Sequence, residues 1–161
     1  MTDQKIDKQD IVIVWLKRDL RFTDHEPLYV AQQQALPVLL VYCFEPSVMN
    51  YADSDTRHWR FVYQSLQDMQ SKLVDLNSQV YVFHDEVATV FQKIAHRYRI
   101  HTIFSHEEIG NKITFDRDLE IKKFCIENDI VWSEFQHNGV IRRLQSRNNW
   151  TQLWKAKMKA L

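Results

Sequence analysis

The sequence predicts an α/β fold, a three-layer α/β/α sandwich on a five-stranded, mostly parallel sheet. Two observations carry this. Short, β-branched apolar runs recur five times along 161 residues, and amphipathic stretches with three- and four-residue spacing separate them. Strands alternating with helices make βαβ units, which close through right-handed crossovers into parallel sheets. The length suits one ordinary domain, which buries roughly 70% of the surface its unfolded chain exposes.

In chain order, residues 11–15 (IVIVW) are continuously apolar, as a strand buried on both faces requires. Pro27 suits the first turn of a helix that continues through Leu28, Val30 and Ala31. Residues 37–44 (PVLLVYCF) repeat the strand pattern. Asp55 or Thr56 then caps a long helix with Trp59, Val62, Leu66, Met69 and Leu73 on one face. Residues 80–83 form a third strand. After it, His84 reads as an exposed loop residue and Asp85 as the cap of a helix carrying Val87, Val90, Phe91, Ile94 and Ala95. Residues 102–104 make a fourth strand, Phe115, Leu119, Phe124 and Cys125 mark a fourth helix, and residues 130–132 make a fifth strand. The pattern is Rossmann-like. Ligands on such sheets sit beyond the carboxyl ends of the strands, where strand order reverses. Those ends read WLKRDLR, CFEPS, FHDE, FSHEE and SEFQ.

Residues 1–10 are expected to be a disordered polar lead, and residues 11–140 the α/β domain. Residues 141–161 form a basic helix or linker, with Arg142, Arg143, Arg147, Lys155, Lys157 and Lys159 around Trp150 and Trp154. Two tryptophans one helical turn apart suit docking onto a neighbouring surface. The abrupt end suggests a domain cut from a longer chain.

Composition removes several functions. With 21 basic and 21 acidic residues the formal net charge is zero, which argues against a domain living by nucleic-acid binding alone. Gly110 and Gly139 are the only glycines, where average usage of about 7% would give roughly eleven. No glycine-rich phosphate cradle is possible, so a standard NAD site and a Walker-type NTPase site are excluded. Cys43 and Cys125 sit in apolar runs and read as buried, reduced thiols. The polar start lacks a signal-peptide core, and no apolar run reaches the ~20 residues of a membrane span. A cytoplasmic location is expected.

The densest polar cluster is Lys17-Arg18-Asp19-Leu20-Arg21 with Asp24 and His25, beyond the first strand. Guanidinium groups there suit phosphates or carboxylates. Composition alone favours a structural network in which Asp19 and Asp24 neutralise Arg18 and Arg21. The second cluster, Ser105-His106-Glu107-Glu108 with His101, contains metal-donor residue types in a spacing that matches no familiar metal motif. Carboxylates accepting hydrogen bonds from a heterocycle, or pairing with Arg18, fit it better. No GxSxG elbow is present and Cys43 has no partner base, so no catalytic residue is assigned.

The run Trp15-Leu16-Lys17-Arg18-Asp19-Leu20-Arg21, with Asp24-His25 and Pro27-Leu28, resembles the opening WFRRDLRxxDNxAL signature of DNA photolyases and cryptochromes. The resemblance continues through Tyr42-Cys43-Phe44-Glu45-Pro46, Arg57-His58-Trp59, Glu107-Glu108-Ile109-Gly110 and Arg117-Asp118. It closes with Asn138-Gly139-Val140 and Arg147-Asn148-Asn149-Trp150, covering nearly the whole chain in order. His25 replaces the commonest Asn and Lys17 a frequent Arg, which leaves the branch open.

The resemblance implies the N-terminal α/β domain of a protein roughly three times longer. In the family, a helical C-terminal domain holds FAD, the electron-transfer tryptophans and the lesion pocket. This domain alone is therefore expected to be inactive. Its implied role is to hold an antenna chromophore, a deazaflavin, FMN or reduced folate, that passes energy to FAD. By position, Arg18, Cys43, Phe44, Glu45, Arg57, Glu107 and Glu108 match the regions lining the antenna pocket, and Asn111 matches the folate-binding region. The implied partners are the C-terminal FAD-binding domain and, through the parent, damaged DNA; no membrane is implied. The isolated domain, with its docking face bare, is open to pairing as a dimer. Two alternatives remain at this point: a structural docking module without chromophore, and a stand-alone nucleotide-binding α/β protein.

Overall fold

The computed structural model describes residues 8–137, 139–142, 144 and 146–159. Residues 1–7 of the expected lead, together with Asn138 and Arg143, lie outside the described residues.

Five strands form one sheet in the order β3-β2-β1-β4-β5, every neighbouring pair parallel. They are β1 (Asp10–Leu16), β2 (Val38–Cys43), β3 (Val80–Phe83), β4 (Arg99–His106) and β5 (Val131–Phe135). The helices are α1 (Glu26–Gln32), α2 (Pro46–Met49), α3 (Thr56–Leu73), α4 (Val87–Arg97), α5 (Lys112–Glu127) and α6 (Trp150–Met158).

The central strand shows why the apolar run is continuous. Ile11, Ile13 and Trp15 of β1 face a core built with Val87, Val90, Phe91 and Ile94 of α4 and Ile121, Phe124 and Cys125 of α5. Val12, Val14 and Leu16 face the other core, with Ala31 of α1 and Leu66, Met69 and Leu73 of α3. Strands alternate their side chains between faces, so a strand covered on both sides must be apolar at every position. The chain runs outward from β1 through β2 to β3, then returns to β4 on the opposite side of β1. The order therefore reverses between β1 and β4, which fixes where a ligand crevice belongs.

The helix starts follow local chemistry. The Asp55 carboxylate caps α3 by accepting from the Arg57 N–H at 2.8 Å. His25 caps α1, its Nδ1 accepting from the Leu28 N–H at 3.2 Å, with Pro27 in the first turn. The imidazole thus performs the capping that an Asn would. Asn111 caps α5 through Thr114.

Three expectations are corrected. Asp85 does not cap α4: the N-cap is Glu86, and Asp85 accepts from the Glu86 N–H while pairing with Lys93 at 2.7 Å. The apolar stripe assigned to α5 is misplaced, because Phe115 and Leu119 are exposed and Thr114 and Asp118 point inward. The fourth strand is longer than residues 102–104, since Arg99 to Ser105 pair along β1. No residue of α6 is buried, and Trp150 and Trp154 stack on each other at 6.2 Å. Trp154 also covers Gly139, where a Cβ would overlap its ring.

Candidate functional site

A cleft of about 640 Å3 opens at the carboxyl ends of β1 and β2, between the first turns of α3 and α5. That volume suits a compact planar ligand. One wall is aromatic and apolar, with Tyr42, Trp59, Phe61 and Val62. The Trp59 indole is held by donating to Ser54 Oγ at 2.6 Å. Asn111 reaches across the lips and donates to the Asp53 carboxylate at 2.9 Å.

The opposite wall is a buried charge network. Arg117 of α5 is its hub. Its Nη1 donates to Glu45 Oε1 and its Nη2 to Glu108 Oε2, both at 2.8 Å, and it pairs with Asp118 Oδ1 at 2.9 Å. Burial disfavours the guanidinium charge, but the three carboxylates outweigh burial and raise its pKa. Lys17, 4% exposed at its side chain, donates to Asp118 Oδ2 at 2.9 Å and lies 4.2 Å from the centroid of the Trp15 ring. Burial pushes its ammonium pKa down against the pull of Asp118. Arg18 sits at the mouth with its Nε 3.2 Å from Glu108 Oε1. Glu108 Oε1 also accepts from the Gly110 N–H at 2.7 Å. Burial pushes the Glu108 carboxyl up, but Arg117, Arg18 and Lys17 hold it below its ordinary value.

Within the network three cations thus face three carboxylates, so the network adds no net charge. The second Glu45 oxygen, Oε2, is buried from solvent. Burial pushes the Glu45 carboxyl up, opposed by Arg117 and the Val87 N–H.

Of the residues named from sequence, the cleft brings together Arg18, Cys43, Glu45 and Glu108. Phe44 stands behind the wall, edge-on to Tyr42 at 5.1 Å and 6.0 Å from Trp59, where it backs both rings. Arg57 is 84% exposed at its side chain and forks onto Asp55 outside the lining. Glu107 also lies outside, with Arg142 3.8 Å away. Asn111 lies in the cleft. Arg117 and Asp118 were visible as a motif, but nothing in their spacing announced a hub. Only the inward turn of α5 shows it.

The cluster after β1 pairs differently from expectation. Arg21 does lie near Asp24, at 3.6 Å, but Arg18 turns to Glu108. Asp19 serves two histidines instead, its Oδ2 lying 2.5 Å from His106 Nδ1 and 2.7 Å from His25 Nε2. Burial pushes the Asp19 carboxyl up, but its contacts with His106 and His25 and the Lys17 N–H hold it far below the carboxylate range.

Cys43 and Cys125 are free and buried. Burial pushes both thiols up, Cys125 to about 11.

Comparison with known proteins agrees with this architecture. Residues 12–152 match the family model described as DNA photolyase. Cryptochrome DASH of Synechocystis sp. is 32% identical over 121 residues, covering 71% of this chain and 24% of that protein. Cryptochrome-1 of Mus musculus is 30% identical over 113 residues, 70% of this chain and 18% of that protein. The crystal structure of the Synechocystis sp. PCC6803 cryptochrome superposes with a TM-score of 0.70 at 26% identity, over 79% of this chain and 27% of that one. An archaeal photolyase from Sulfolobus tokodaii, crystallised with two FAD molecules, gives 0.73 at 22% identity, over 91% of this chain and 34% of that one. The chain therefore spans about a fifth to a quarter of the length of the curated relatives it matches. Among the described residues no helix is long and apolar enough to cross a membrane.

Proposed function

Because this chain belongs to the DNA photolyase family, we propose that it is the antenna domain of a photolyase- or cryptochrome-like flavoprotein and that the cleft holds the antenna chromophore. The observation that carries the reading is the cleft itself. It lies where ligands bind on doubly wound sheets, and it joins an aromatic wall to a buried polar wall. An antenna needs proximity and orientation rather than bond making, so Arg18, Glu45 and Glu108 act here as orienting groups. Trp59, backed by Phe44, stacks on the ring. The candidates are a deazaflavin, FMN and a reduced folate, the last in contact with Asn111.

Chemistry on DNA belongs to the parent. Light-driven repair of pyrimidine dimers, or blue-light sensing, would need FAD in a C-terminal domain beyond this segment. The exposed Phe61 and Tyr63 of α3 suit docking onto such a partner. Alone, the chain is expected to be inactive, to bind DNA weakly and only at low salt, to reside in the cytoplasm and to dimerise, if at all, through that bare face. A docking module without chromophore predicts a filled cleft, whereas this one is open.

The test is a fluorescence titration of the purified chain with a deazaflavin riboside, FMN and a reduced folate in turn. Saturable binding of one of them, weakened about tenfold or more by Trp59→Ala and unaffected by Arg57→Ala, supports the reading. Absence of binding by all three contradicts it.

A further inference from the structure

A second cavity, about 910 Å3, lies between α1, the end of α3 and α6. Its polar end is a row of imidazoles. The His25 and His106 ring centroids are 4.7 Å apart, and those of His106 and His137 are again 4.7 Å apart. Asp19, His25 and His106 have the donor set of a cation site, with ligating atoms within 4.8 Å of one another. The hydrogen bonding decides against a cation. His25 Nδ1 accepts from the Leu28 N–H, so its proton sits on Nε2, facing Asp19, and no lone pair remains for a metal.

The same bookkeeping leaves three free nitrogens. His106 Nδ1 donates to Asp19, so its Nε2 carries a lone pair, which has no partner among the described residues. His137 Nδ1 accepts from Arg21 Nη2 at 3.3 Å, which places the His137 proton on Nε2. Arg21 commits Nε to the Thr23 carbonyl and Nη2 to the Asp24 carbonyl, and Nη1 is unpaired among the described residues. All three side chains line the cavity, and the fixed guanidinium charge makes the spot hospitable to an anion. Asp24, with a carboxylate oxygen 3.6 Å from Arg21 Nη2, and Glu26 at the rim temper that charge; Lys157 adds to it further along, and Lys72 is paired with Asp68 at 2.7 Å. Between these ends the lining is apolar, with Leu28, Leu40, Leu73 and Met158.

We propose that this cavity is a second ligand site, separate from the antenna cleft, for an amphipathic oxyanion. A phosphate or carboxylate head sits on His137 Nε2–H and Arg21 Nη1, beside His106, and an apolar or aromatic body lies along Leu28, Leu40 and Leu73. Asp19 is the positioning residue, fixing from behind the His106 tautomer whose Nε2 lone pair borders the head. Arg21 also borders the antenna cleft, so His137 is the cleaner residue to change.

The test titrates 1-naphthyl phosphate into the chain labelled with 15N-histidine, reading the ring nitrogens by NMR and the affinity by calorimetry. Saturable binding is expected, with the His106 and His137 ring signals moving. Affinity should fall about tenfold in His137→Asn and also in Arg21→Gln, and by at least as much when 1-naphthol or inorganic phosphate replaces the probe. Repeating the titration with 1-naphthoate tells the two heads apart, and binding of either upholds the proposal. Ring signals of His106 and His137 unmoved by millimolar amounts of both naphthyl anions in the wild-type chain would overturn it. So would equal affinity for 1-naphthol, or indifference to His137→Asn.

Discussion

Replacing Arg117 by methionine keeps most of the side-chain volume and removes the hub of the cleft network. Glu108 retains Arg18 and the Gly110 N–H, and Asp118 retains Lys17. Glu45 retains nothing comparable, since Arg117 is its only ion pair among the described residues. Removing one partner of a buried pair costs about 3–5 kcal/mol. At about 2–4 °C per kcal/mol for a domain of this size, the melting temperature should fall by about 6–20 °C at pH 8. The loss should depend on pH in a stated direction. The Glu45 carboxyl is already raised by burial, and without Arg117 it rises further. A raised carboxyl penalises the fold only when ionised, so the deficit is largest at high pH and shrinks toward the unfolded value near 4.3. Adding Glu45→Gln to Arg117→Met should recover part of the stability and flatten that pH dependence. Thermal melts followed by circular dichroism at pH 5.5 and pH 8 are sufficient. A variant within about 1 kcal/mol of wild type, with a deficit the same at both pH values, would refute the reasoning.

Other consequences can be checked in the same way. Asp19 is held below its unfolded pKa, so its contribution is present above about pH 4 and lost as pH falls further; Asp19→Asn should lower the melting temperature at pH 7 and flatten the acid limb. A Cβ at Gly110 would press on the Arg18, Thr114 and Glu108 side chains, so Gly110→Ala should cost about 1–3 kcal/mol in urea unfolding. Both thiols should be silent toward a disulfide reagent at pH 8 in the native chain and react once urea unfolds it, because burial keeps them protonated and covered. Gly139→Ala should displace the Trp154 ring and shift tryptophan emission with little loss of stability, since α6 buries nothing.

The sheet was legible because burial on both faces leaves a one-dimensional signature. Ile11 to Leu16 are apolar at every position, and no other element type explains so short a run. The caps at Asp55 and the first-turn Pro27 were legible for the same reason, being local chemistry. The α5 stripe misled because that helix turns Asp118 inward toward a lysine 101 residues earlier in the chain. Periodicity scores such a position as solvent-facing. Arg18, Glu45 and Glu108 could be named from motif position, but Arg57 sits beside the cleft motif in sequence while its side chain forks onto Asp55. The pairing of Asp19 with two histidines was hidden as well, because it joins a loop, a helix cap and a strand end.

The most direct test of the antenna assignment is to locate the bound chromophore. The 15N-labelled chain would be titrated with whichever of the deazaflavin riboside, FMN or reduced folate saturates it, and the amide and indole shifts mapped. The account predicts the largest changes at the Trp59 indole N–H, the Gly110 amide and the first turns of α3 and α5. Changes confined to α1 and α6, or spread without saturation over the exposed face of α3, would contradict it.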